Sequence, residues 1–151
     1  MNAHYWKDLS QKLGNPGYIC FIWFGMTAGI SLLATPVRFT APTITRPVAL
    51  DVGRVVFAAL NKAELVALLI LLVVVRVSGR AKDLWAYCSA LILILVAQSV
   101  WLLPALAARA QQIAAGIEPP PSMLHGTYST LELLKLLILL YLGFHSVQTR
   151  T

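Results

Sequence analysis

Few residues of this chain have the capacity for chemistry, and most of them lie where ionisable groups are costly. Asn61, Lys62 and Glu64 interrupt an apolar run from Val55 to Val77, and Glu132 and Lys135 interrupt another between Met123 and Val147. Each such charge costs about 2.5–3.5 kcal/mol at the centre of a membrane helix on insertion scales, so charges kept there have partners, water or a task. Counted at about 1.5 Å per residue from the helix ends, Lys62 and Glu64 reach the depth of Glu132 and Lys135. The reading is that Glu64 faces Lys135, with Glu132 shared between them or near Asn61. At 100° per residue, Lys62 points about 200° away from Glu64, towards the outer interface or a second protomer. His125, Tyr128, Glu132 and Lys135 form one stripe within about 80° of arc. With Gln98, the one strongly polar residue inside the third apolar run, His125 and Tyr128 extend the network outward.

Such a set has three possible uses. A buried ion-pair network fixes the register of neighbouring helices. An acid, a base and an imidazole inside a membrane mark a path for a proton, ion or small solute. A cofactor or catalytic site is the third use, and the spacing opposes it. His125 and His145 are 20 residues apart on one helix, about 30 Å, too far to ligate one haem or metal. The seven residues from His125 to Glu132 exceed the Glu-x-x-His spacing of bundle di-iron sites. No H-E-x-x-H, G-x-S-x-G, Walker or Rossmann pattern occurs. Cys20 and Cys88 lie in apolar runs without C-x-x-C spacing and read as buried thiols. No catalytic residue, metal or cofactor is expected, and the chain reads as non-enzymatic.

The elements that must hold these residues follow from composition. At 58% hydrophobic and 12% charged residues with mean hydropathy +0.74, the 151-residue chain carries too little polar surface for a water-soluble globule, which averages roughly 25% charge. The expected fold is an all-α membrane protein: one domain, residues 1–151, with four transmembrane helices in an antiparallel bundle, over about 17–36, 48–77, 84–104 and 122–147. Pro36 is expected to end the first span and Pro104 to kink the third, which then runs on to Gly116. Residues 3–13 place Trp6, Leu9 and Leu13 on one face and read as an interfacial helix. Gly25 and Gly29 form a G-x-x-x-G pair that admits close approach of another helix. No cleavable signal peptide is apparent, because the first apolar run follows 16 polar-rich residues and lacks an A-x-A site. The net charge of +6 comes mainly from short loops, where it orients the chain and does not imply nucleic acid. Counting Lys and Arg per side places both termini in the cytoplasm and the protein in the cell membrane.

Several stretches resemble one family. They are Gly25 to Phe39 with its P-x-x-F ending (Pro36, Phe39), Asp51-Val52-Gly53-Arg54 to Phe57, Leu103-Pro104-Ala105-Leu106 to Arg109, and His125 to Lys135. Together they are similar to the bacterial relatives of eukaryotic transmembrane protein 205, a domain family of unknown function. The resemblance implies a four-helix membrane protein and supplies no reaction, substrate or catalytic residue; Asn61-Lys62 carries more charge than the family leads one to expect. The functional expectation is therefore passage of an ion or small solute past the ionisable cluster. The alternative is an accessory or scaffold subunit of a larger membrane complex. Expected partners are the lipid bilayer and further copies of this chain or other membrane subunits.

Overall fold

A computed structural model describes residues 14–78 and 81–148, with 81–83 described by backbone alone. The expected interfacial helix at 3–13 lies outside the described residues. Among them all regular structure is helical, and four helices are long and apolar enough to cross a membrane. Helix α1 runs Pro16–Arg38 and α2 runs Arg46–Val77. Helix α3 begins as Ala81–Val96 and continues through Ala97–Leu102 into Leu103–Ala114, and α4 is Leu124–Gln148.

Local sequence sets the helix ends. The Asn15 side chain accepts the Gly17 N–H at 2.9 Å, and Pro16 fills the first turn, where its missing N–H leaves no bond unmade. Pro47 has the same place in α2. Gly116 ends α3 with φ of 78°, a backbone region that glycine adopts without steric cost, and the Ile117 N–H returns to the Gln112 carbonyl at 2.9 Å.

Pro36 does not end α1. The helix widens into a π-helical stretch, Gly29–Ala34, and then continues as Thr35–Arg38. Helix α3 widens likewise at Ala97–Leu102 ahead of Pro104. A proline ring collides with the carbonyl four residues earlier, here Leu32 and Val100, and a wider turn relieves the collision while the helix goes on. The Thr35 N–H bonds the Ile30 carbonyl and the Leu103 N–H bonds the Gln98 carbonyl, five residues back in each case. The Thr35 hydroxyl adds a second bond to Ile30 O at 2.9 Å.

The most extensive packings join α1 to α4 and α2 to α3. Towards the Ser78 end of the molecule the core is apolar and built on Leu71, Val75, Leu91, Leu95, Leu139 and Leu142, with the free thiols of Cys20 and Cys88 wholly buried among them. Outward-facing rows, such as Leu65, Val66, Leu69, Ile70 and Val73 on α2, remain exposed. Apolar surface of that extent on helices of this length suits a membrane environment.

The close backbone approach in α1 is at Gly17, where an added Cβ would lie 2.8 Å from the Gly143 carbonyl oxygen. Gly25 and Gly29, expected from sequence to be a packing pair, are exposed, and a Cβ on either meets nothing within 4 Å. Among the described residues no helix packs on them, because α1 turns its Trp23 and Thr27 face inward. Gly29→Leu is therefore expected to leave stability within about 0.5 kcal/mol of the parent, read as an unchanged unfolding midpoint in detergent.

The two π-helical stretches expose a repeat. Cys20 and Cys88, Ser31 and Ser99, Pro36 and Pro104, and Glu64 and Glu132 are each 68 positions apart. Glu64 to Leu72 and Glu132 to Leu140 differ only at Val66/Leu134 and Ala67/Lys135. The α1–α2 pair and the α3–α4 pair thus carry one pattern twice. Exchanging the halves turns the α1–α4 packing into the α3–α2 packing, the two most extensive in the molecule.

Candidate functional site

The repeated glutamates meet around one lysine. Lys135 Nζ lies 2.5 Å from Glu64 Oε1 and 2.8 Å from Glu132 Oε2, and it donates to Gln98 Oε1 at 3.0 Å. All four residues are withdrawn from the surface: Lys135 and Gln98 are 0% exposed, Glu64 1% and Glu132 3%. Charges this dry are held only when nearly every lone pair and proton is engaged.

Helix α1 supplies much of that engagement. Trp23 Nε1 donates to Glu64 Oε1 at 3.0 Å, and Thr27 Oγ donates to the same oxygen at 2.9 Å. Ser31 Oγ, inside the first π-helical stretch, donates to Glu132 Oε1 at 2.6 Å. Gln98, inside the second, donates through Nε2 to Glu132 Oε2 at 2.8 Å. Each widened turn thus delivers one donor to the same carboxylate. Glu132 is bonded at both oxygens, whereas Glu64 Oε2 is buried without a hydrogen-bond partner.

Sequence reading had placed the cluster among α2, α3 and α4, so Trp23, Thr27 and Ser31 were missed. The signal that could have found Ser31 is the repeat: it stands to Glu64 as Ser99 stands to Glu132. The repeated serines do not do the same work, since Ser99 exchanges hydrogen bonds with Asn61 at 2.9 and 3.1 Å. Asn61 is accordingly bonded to Ser99 and makes no bond to Glu132.

The remaining expected members stand apart from the cluster. Tyr128 is buried, with its ring edge-on to Phe57 at a centroid distance of 5.5 Å. Lys62 is exposed while Glu64 is buried, in keeping with their angular separation. His125 is exposed in the first turn of α4 and does not join the network as expected, because the inward packing of that helix begins lower, at Tyr128.

Lys62, His125, Tyr128, Asn61 and Ser99 instead line a cavity of about 560 Å³ at the Arg38 end of the bundle. Asn61 is one helical turn from Glu64, Tyr128 one turn from Glu132, and Ser99 adjoins Gln98. The cavity floor therefore borders the charged cluster, and beyond the cluster lies the apolar core. Comparison with protein-family models, curated proteins and solved structures finds no match for this chain.

Proposed function

We propose that this chain is a multi-pass protein of the cell membrane, an antiparallel four-helix bundle with both termini cytoplasmic, that passes protons or small ions by way of the Glu64–Lys135–Glu132 cluster. The arrangement of helices is supported by contacts whose residue numbers rise on one helix as they fall on its neighbour. Phe21 packs on Phe144 while Ser31 reaches Glu132.

The passage reading rests on one observation. The cluster holds two carboxylates against one ammonium, is sealed from solvent, and leaves Glu64 Oε2 with no donor. A network built only to fix register has no use for a second carboxyl group beside one ammonium in a dry interior. A network that receives a proton or cation has a use for it. The nearest opening is the cavity, whose lining residues Asn61, Ser99 and Tyr128 stand within a turn of the cluster, and the core beyond the cluster is apolar; passage requires both that lining and that core to part.

The test is a pH-gradient assay in reconstituted vesicles. The parent protein is expected to dissipate an imposed gradient faster than protein-free vesicles, and Glu64→Gln, which keeps the shape and an acceptor for Trp23 and Thr27, is expected to fold and lose that activity. Parent vesicles that leak no faster than empty ones overturn the reading. They would leave the accessory-subunit alternative, which the open Gly25 and Gly29 face supports by offering room for a helix from another chain.

A further inference from the structure

The cavity itself has a chemistry that the cluster does not use. Its lining includes Arg38, Arg54, Lys62 and His125 and no carboxylate. Arg54 is already paired with Asp51 at 2.8 Å. Arg38 is not: its guanidinium makes no ion pair or hydrogen bond among the described residues, and its Nε is buried without an acceptor.

Arg38 is nonetheless held in place. It lies against the α2 backbone at Gly53, where an added Cβ would be 2.8 Å from Nη2, and its guanidinium carbon is 5.0 Å from the centre of the Phe39 ring. A glycine opens the space and an aromatic face steadies the cation. Buried donors are nearly always satisfied, and a guanidinium is shaped to take a carboxylate or phosphate with two parallel bonds. The rest of the lining is predominantly apolar, including Phe57, Leu103 and Leu106, in a volume typical of small-molecule sites.

We propose that this cavity binds an amphipathic anion: a carboxylate or phosphate seated on Arg38, with Lys62 as the second cation, and an apolar body lying along Phe57, Leu103 and Leu106. The site stands apart from the passage reading, because occupancy needs no flux across the membrane. The same headgroup chemistry has two sources, a free fatty acid or an anionic phospholipid of the surrounding bilayer.

The experiment uses the full chain in uncharged detergent with cis-parinaric acid, a fluorescent fatty acid, as probe. Saturable binding of one probe per chain is expected. Arg38→Gln should weaken it by about tenfold or more, the value of one charge-assisted hydrogen bond to a carboxylate, and Lys62→Gln by less. Arg76→Gln, at the opposite end, should leave it unchanged. Ala107→Trp, which fills the cavity while keeping every cation, should abolish binding and guards against misfolding of the Arg38 variant. Displacement by phosphatidylglycerol but not phosphatidylcholine in nanodiscs assigns a bilayer source, and displacement only by free fatty acids assigns the other; either supports the site. Binding unchanged in Arg38→Gln or Ala107→Trp, or competition by the methyl ester as strong as by the acid, overturns it.

Discussion

Lys135→Met is expected to destabilise the protein by about 3–5 kcal/mol, the range for removing one partner of a buried ion pair. The substitution keeps the length and apolar stem of the side chain, so little packing is lost. What it removes is the cation that both Glu64 and Glu132 contact. Two carboxyl groups then remain in a site with no ammonium. Replacing Glu64, Glu132 and Lys135 together by Gln, Gln and Met should recover much of the deficit. The triple variant has no charge left in the cluster, and Gln can still accept from Trp23, Thr27 and Ser31. Unfolding midpoints of the single and triple variants in the same detergent decide this. A triple variant no more stable than Lys135→Met would show that the cluster contributes more than mutual charge compensation. The position has no counterpart in the first half of the chain, where Ala67 stands at the repeat position. One repeat therefore supplies the lysine that neutralises glutamates from both.

The part of this site that was legible in the sequence was the part set by charge and helical angle. Depth counting brought Glu64, Glu132 and Lys135 to one level, and the 200° between Lys62 and Glu64 required them to face apart. Trp23, Thr27 and Ser31 were not legible by that route. They carry no charge, and such residues are ordinary inside membrane helices, so only packing reveals that they converge on two carboxylates. His125 shows the converse limit. It shares an angular stripe with Tyr128, yet angle does not say where along α4 the bundle begins to enclose it. Pro36 reads in the sequence as a stop, whereas a widened turn carries the helix past it, because a hydrogen bond five residues back keeps the backbone satisfied. Self-comparison of the chain would have exposed the paired glutamates, serines and prolines in advance.

Gly17→Leu is expected to be the most damaging change outside the charged cluster, and the reason is the identity of the atom it meets. At Gly143 an added Cβ would fall 2.6 Å from the Phe21 ring, a side chain able to turn aside. At Gly17 the nearest atom is the Gly143 carbonyl oxygen, and backbone yields only if α1 and α4 separate. Overpacking by even a methyl group costs about 1–3 kcal/mol, which exceeds the 0.5–1 kcal/mol or so that alanine gains over glycine inside a helix; at Gly17, in the first turn of α1, that gain is smaller still. A leucine adds further volume with nowhere to go. The consequence extends beyond the contact, because the α1–α4 seam also carries the Ser31–Glu132 bond and α1 carries both side-chain donors to Glu64 other than Lys135. A lowered unfolding midpoint is therefore expected together with loss of Trp23 fluorescence shielding. Gly25→Leu provides the matched comparison: it adds the same side chain on the same helix where a Cβ meets nothing within 4 Å. Equal destabilisation by the two leucines would mean that the close approach at Gly17 does not hold α1 to α4.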